Sequence, residues 1–267
     1  MPNLIVTFIQ TELVWEDIQA NLEMLDKKFE AIENPTDLIL LPEMFSTGFS
    51  MSPVGLAETM QGSAVSWMMK KSMEKSADIA GSLMIEEDGR YFNRLVWAKP
   101  DGRVLTYDKK HLFRMSGEEK VYSAGTHLLT VELKGWRIRP FICYDLRFPA
   151  WMRNSSSPYD LAIVTANWPA SREVQWQTLL RARAIENQSY VIGVNRIGVD
   201  GNQVEYNGYS CVIDYQGNVH FQEVKRPQTQ TASLSLSTLQ NYRKEFPVWM
   251  DRDTELDQLF HESDETF

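Results

Sequence analysis

Cysteine and histidine are scarce in this chain of 267 residues. There are two cysteines, Cys143 and Cys211, and four scattered histidines, His111, His127, His220 and His261. Two thiols do not make the disulfide framework of a small secreted domain. Nor do these residues form a recognisable metal-ligand set, so no metal is expected, and no organic cofactor is expected either. Long apolar runs are missing too: none approaches the ~20 residues that cross a bilayer, so no membrane partner is expected. Basic charge is short. Lys and Arg number 27 against 36 Asp and Glu, a formal charge of −9, so no basic stripe is available to neutralise phosphates and no nucleic-acid partner is expected. Glycine and proline are dispersed, which argues against collagenous or linker-like segments. The opening MPNLIVTFIQ has no positive n-region and runs straight into a strand-like pattern, so the expectation is a cytoplasmic protein without an export leader.

What is present is the composition of an ordinary globular protein, with 43% apolar and 24% charged residues. No internal repeat or linker divides it. The expectation is one domain over residues 1–267, with a core to about residue 237, then a short helix and an acidic tail that is either solvated or a surface flap. The opening reads as strand (Leu4–Gln10), helix (Trp15–Ile32, with Ile18, Leu22, Leu25 and Phe29 at helical spacing) and strand (Asp37–Pro42), a βαβ unit. A second helix is predicted over Ser63–Ser76. Asp78–Ile85 and Tyr91–Lys99 alternate about Glu87-Asp88-Gly89 as a hairpin that continues into Val104–Asp108. Leu128–Leu133 and Trp136–Cys143 pair about Lys134-Gly135. Further strands are expected at Leu161–Ala166, Val191–Asn195, Tyr209–Asp214, Val219–Val224 and Thr231–Ser235, with a helix over Glu173–Asn187. Buried βαβ strands mixed with hairpins imply an α/β protein, in one sheet or two.

The stretch Arg137–Ala150, RIRPFICYDLRFPA, organises the chemistry. An apolar strand ends by presenting Cys143 to the start of a helix, where unpaired N–H groups favour negative charge. Such groups can depress a thiol pKa and hold an oxyanion. A lone cysteine after an apolar run is more often a buried structural residue, so the decision rests on its partners. Glu43, after the strand DLILLP, and Lys109, after VLTYD, also stand at strand ends. A carboxylate shielded from water can serve a thiol as base, and an ammonium can stabilise the charge that develops on an attacked amide. Cys211, in YSCVIDY, reads as a buried, inert strand residue. Met68, Met69 and Met73 read as helix packing. Within Arg181-Ala182-Arg183, at least one arginine is expected to be partly buried and paired.

Three segments give these residues a family context: LPEMFSTGF (Leu41–Phe49), KKHL (Lys109–Leu112) and CYDLRFP (Cys143–Pro149). In order and separation they resemble the glutamate, lysine and cysteine motifs of the nitrilase superfamily of carbon–nitrogen hydrolases. The likeness continues through LLRARAIENQSYVIGVNR (Leu179–Arg196). The resemblance implies a four-layer α-β-β-α sandwich, with Glu43 as general base, Lys109 as stabiliser of the tetrahedral intermediate and Cys143 as nucleophile. It also implies Tyr144 as a backbone oxyanion donor. A second glutamate after the lysine motif would be Glu118, with Glu119 adjacent.

Within the superfamily, LPEMFSTGFSM, CYDLRFPAW and ANWPASR most resemble the bacterial ω-amidases, which hydrolyse the terminal amide of 2-oxoglutaramate and 2-oxosuccinamate through a Cys thioester. Such a substrate needs a cation or N–H groups for its carboxylate, and Arg172 is a candidate. Phe45 and Trp168 are candidate pocket walls, while Arg147 is expected to pair with a nearby carboxylate. The family resemblance also implies a homodimer. Alternatives are a sibling amidase acting on deaminated glutathione, a nitrilase or N-carbamoyl hydrolase, a Cys-His hydrolase using His111 or His127, and a non-catalytic binding protein on the same scaffold.

Overall fold

Strand alternation decides the architecture of the computed structural model, which describes residues 3–154, 158–251 and 264–266. In β1 (Leu4–Gln10), Leu4, Val6 and Phe8 face one core while Ile9 faces another. After α1 (Ile18–Glu30), β2 (Leu38–Leu40) repeats the pattern, with Leu38 and Leu40 on one side and Ile39 on the other. Period-2 sidedness of this kind buries a strand on both faces. Next come α2 (Ser63–Lys75), β3 (Asp78–Glu87), β4 (Arg90–Ala98) and β5 (Val104–Asp108). They complete a six-stranded sheet in the order β13-β1-β2-β3-β4-β5, whose strand β13 (Gln228–Leu234) returns from late in the chain.

The second sheet follows α3 (Glu118–Val121). Its strands are β6 (Leu128–Leu133), β7 (Trp136–Ile142), β8 (Leu161–Ala166), β9 (Tyr190–Asn195), β10 (Ile197–Val199), β11 (Glu205–Ile213) and β12 (Val219–Val224), with α4 (Glu173–Asn187) crossing between β8 and β9. β7, β8 and β9 run parallel, and the flanking pairs are antiparallel. Ile138, Ile142, Leu161, Ile163 and Ile192 meet Leu4, Val6 and Leu40 of the first sheet in one shared core. The opposite faces pack α1 and α2 on the first sheet, and α4 on the second. The result is the expected four-layer α-β-β-α sandwich, and the choice between one sheet and two falls to two. Among the described residues, no helix is long and apolar enough to cross a membrane.

Local chemistry sets the boundaries. Asp17 caps α1, its Oδ1 accepting the Ala20 N–H at 2.9 Å, so the helix starts at Ile18 and not at Trp15. Leu22, Leu25 and Phe29 then bury one face, each contributing about 1.5–3 kcal/mol. The predicted hairpins close on paired left-handed residues, Asp88-Gly89 and Lys134-Gly135, with φ of 51° and 71°, and 52° and 81°. Three expectations change. β11 begins at Glu205 and has an unforeseen partner, the three-residue β10. Helix α5 (Leu236–Glu245) is the expected short helix, but Asp264–Thr266 forms a further strand, β14, parallel to β6. The rest of the acidic tail, 252–263, lies outside the described residues. Met73 is half exposed, unlike the buried Met68.

Candidate active site

The first sheet delivers two of the three strand-end residues, and the second sheet delivers the third. Glu43 follows β2 in a tight loop. That loop is pinned by the Met44 N–H to Ser82 Oγ (2.8 Å), and by Asn21 of α1, whose Nδ2 donates to the Ser46 carbonyl at 2.8 Å. Lys109 follows β5, its N–H donating to the Asn93 carbonyl at 3.0 Å and its carbonyl accepting from Gly125 at 2.9 Å. Gly125 has to be glycine, because a Cβ there would lie 2.1 Å from the Asp108 carbonyl oxygen. Cys143 follows β7 with φ of +44°, the first residue of a 3-10 turn that runs to Arg147. A left-handed non-glycine residue costs about 1–3 kcal/mol and persists only where its surroundings hold it.

What holds it is Asp145. This fully buried carboxylate accepts from the Ile142 N–H (3.1 Å), the Tyr107 hydroxyl (2.7 Å), the His111 N–H (2.9 Å) and His111 Nδ1 (2.9 Å). Trp151 Nε1 donates to the same Tyr107 oxygen at 3.0 Å, and His111 stacks on Phe148 with centroids 3.7 Å apart. His111 is thus committed to the support of the turn.

The three side chains converge. Lys109 Nζ, 1% exposed, donates to Glu43 Oε1 at 2.9 Å and to both Glu118 oxygens at 3.0 Å. Glu43, wholly buried, also accepts from Asn93 Nδ2 (2.8 Å) and, at Oε2, from the Asn167 N–H (2.7 Å), and the Cys143 thiol, donating to the Asn167 carbonyl at 3.9 Å, sits close enough to feel this carboxylate's charge. Glu118 is the inward-facing member of its pair. It accepts the Phe113 N–H at 2.6 Å, whereas Glu119 makes no contact with Lys109. Burial opposes the charge of Lys109, but Glu118 and Glu43 outweigh it and hold the ammonium well above its ordinary pKa. Burial, reinforced by the Glu43 charge and opposed by Lys109, raises the Glu118 carboxyl.

The thiol departs from expectation. Burial first, and then the Glu43 carboxylate, push Cys143 well above its ordinary value, against the pull of Lys109. The start of a five-residue 3-10 turn does not overcome that. At rest Cys143 is therefore a protonated thiol beside a carboxylate. The backbone N–H of Tyr144, in the first turn of the 3-10 segment, has no intrahelical acceptor.

A cleft of about 550 Å³ opens over Cys143, Lys109, Tyr144 and Asn167. Trp168 and Arg172 line it, with Arg172 over the Phe113 ring at 5.2 Å. Phe45 does not. It is fully buried against Trp67 in the core between the first sheet and its helices, and Phe49, four residues on, takes the wall position with its ring 5.0 Å from Lys109 Nζ. Arg147 also differs from expectation: it pairs with no carboxylate among the described residues but lines the cleft, stacked over Trp168 at 5.1 Å. Asn93 and Asn167 were not foreseen. The first lies within RYFNRLVWA between two arginines, with nothing to single it out, and the second stands directly after β8, a strand end like those of Glu43 and Cys143.

The model of the family described as carbon-nitrogen hydrolase matches residues 5–244. The chain belongs to the carbon–nitrogen hydrolase family. This carbon–nitrogen hydrolase is 46% identical over 254 residues to the Escherichia coli protein named omega-amidase YafV, covering 95% of this chain and 98% of that one. It is 30% identical over 250 residues to a Bacillus subtilis 2-oxoglutaramate amidase, covering 92% and 96%. Among solved structures, XC1258 of Xanthomonas campestris, a CN-hydrolase superfamily protein with an arsenic adduct in its active site, superposes with a TM-score of 0.93 at 42% identity over 95% of this chain and 98% of that one. The enzyme class follows from these findings: this hydrolase is an amidase acting on linear amides.

Proposed function

We propose that the protein is an ω-amidase that hydrolyses the terminal carboxamide of 2-oxoglutaramate and 2-oxosuccinamate through a Cys143 thioester. The observation that carries the mechanism is the buried Glu43 carboxylate, hydrogen-bonded to the Lys109 ammonium at 2.9 Å and set beside the Cys143 thiol. Glu43 accepts the thiol proton as sulfur attacks the amide carbon, so the raised thiol pKa is overcome only in the presence of an electrophile. The developing oxyanion is held by Lys109 Nζ and the Tyr144 N–H. Collapse breaks the C–N bond, and Glu43 returns the proton to the departing ammonia. Water, deprotonated by the same carboxylate, then opens the thioester to the carboxylic acid. Glu118 accepts from Lys109, the Asn93 amide and the Phe113 N–H, and it keeps the ammonium in place and charged.

The substrate assignment is supported by the relatives named omega-amidase and 2-oxoglutaramate amidase, and by the two cleft arginines. Arg147 and Arg172 are each stacked on an aromatic ring, which leaves their guanidinium edges for a carboxylate. Trp168 supports Arg147, and its Nε1 donates to the Arg172 carbonyl at 2.7 Å. The chain acts as one domain, in the cytoplasm, and as a homodimer. Val174 and Ile185, exposed on α4, support a partner across that helix. The test is ammonia release by purified protein from 2-oxoglutaramate and from deaminated glutathione. A clear preference for 2-oxoglutaramate is expected, and comparable or better rates with deaminated glutathione would overturn the assignment.

A further inference from the structure

Three loops meet at one side of the cleft mouth. The β1–α1 connection brings Trp15 and Glu16, the loop after Glu43 brings Gly48, and the β10–β11 hairpin brings Gly201. Trp15 is the wedge between them. A Cβ on Gly201 would stand 2.4 Å from its Cδ1 and Nε1, and one on Gly48, at φ +75°, would stand 3.1 Å from Cε3. Both loops therefore close flat against the indole at positions where only glycine fits. Glu16, next along, is itself left-handed at φ 55°, held by its N–H to the Thr47 carbonyl (2.8 Å) and by the Ser50 hydroxyl donating to Oε1. A strained residue fixed at a site mouth with its carboxylate exposed is a candidate for a functional constraint.

The rest of the cleft gives that constraint a direction. Its floor is closed by Lys109 and Asn167, both buried, with Glu43 behind them. Arg147 and Arg172 rise on the side built from the second sheet. An acyl chain whose carboxylate reaches those arginines puts its scissile amide on the floor. Any substituent on the amide nitrogen then has to leave through the mouth, past Trp15 and Glu16. A primary amide has no such substituent; a peptidyl amide has a bulky one that ends in a carboxylate.

We propose that Trp15 and Glu16 are specificity-determining residues that restrict the site to primary ω-amides, Trp15 by bulk and Glu16 by repelling a carboxylate on the leaving group. The inference rests on the ω-amidase reading. A like charge a few ångströms away at a solvated mouth is worth about fivefold in rate and is screened by salt. A steric wall of one aromatic ring is worth about tenfold or more.

The experiment compares kcat/KM for 2-oxoglutaramate, its N-propyl amide and its N-carboxymethyl amide in wild type, Glu16→Gln, Trp15→Ala and Trp15→Phe. Glu16→Gln is expected to raise the N-carboxymethyl amide relative to the N-propyl amide about fivefold at low salt, with the gain shrinking at high salt. Trp15→Ala is expected to raise both substituted amides about tenfold relative to the primary amide, with Trp15→Phe between it and wild type. An unchanged ratio between the two substituted amides in Glu16→Gln removes the charge role. A proportional fall on all three substrates in the Trp15 variants reduces Trp15 to a structural wedge. If Trp15→Ala does not fold, the Phe variant alone decides the size role. Wild type inactive on 2-oxoglutaramate sinks the ω-amidase reading itself, an outcome distinct from wild type active but with unshifted ratios.

Discussion

The two cysteines, one just past a strand and one within a strand of the same sheet, teach opposite lessons. Cys211 lies within β11, opposite Gly193 of β9, and packs in the apolar core beneath α4. Burial pushes its thiol up to about 12, with only the backbone at Gly193 and the Arg181 charge opposing. Cys143 stands at the end of β7, and its thiol is pushed up as well. A low resting pKa is therefore not what separates the reactive thiol from the inert one. The separation lies in what shares the buried space: a carboxylate to take the proton and an ammonium to balance that carboxylate surround Cys143, while Cys211 has neither. A left-handed turn also lifts Cys143 out of its ladder toward the cleft, whereas Cys211 stays in its strand.

The contrast can be broken or sharpened by experiment. The largest effect is expected from Cys143→Ala, which should cost about 10⁴-fold or more in amide turnover with circular dichroism and melting temperature near wild type. Full activity in that variant would end the mechanism. A smaller but more diagnostic effect is the pH dependence of alkylation. Because the folded thiol is raised, its thiolate fraction keeps growing as pH climbs past neutrality. The rate of iodoacetamide labelling at Cys143, followed by intact mass, should rise throughout that range, and a plateau below neutrality would contradict the burial argument. Cys211 should stay unlabelled in the native protein over the same range. The smallest effect belongs to Cys211→Ala: turnover within about twofold of wild type and a stability loss of about 1 kcal/mol in denaturant titration. A large loss of turnover there would mean that β11 does more than pack.

Much of this arrangement is written into strand ends. Glu43, Lys109 and Cys143 each terminate a recognisable apolar run, and hairpin residues such as Lys134-Gly135 carry their turn type in their identity. Side chains inside loops are harder to place. Phe45 and Phe49 are both aromatic and both just past Glu43, but the tight turn at Met44–Gly48 sends the first into the core and the second into the cleft. Arg147 is expected to pair with a nearby carboxylate, and Asp145 stands two residues away. The Asp145 carboxylate is instead taken by Ile142, Tyr107 and His111, and the arginine turns to the cleft. Asn93 was hidden for another reason. A neutral amide in a strand has no pattern of its own, and its bridge between Glu43 and Glu118 exists only after β4 and β5 have paired. Three-residue β10 is too short for any alternation to show.

The Asp145 hub spans the seam of the sandwich. Tyr107 and His111 come from the six-stranded half, Asp145 and Ile142 from the eight-stranded half. The acid–thiol pair is divided along the same line, Glu43 on one side and Cys143 on the other. Sliding one half past the other by a single residue step, about 3.3 Å, would leave every ladder within each half intact and still part the proton acceptor from its donor. Chemistry here is consequently a gauge of assembly. A chain whose two halves have formed but not met would carry nearly all of its secondary structure and release no ammonia.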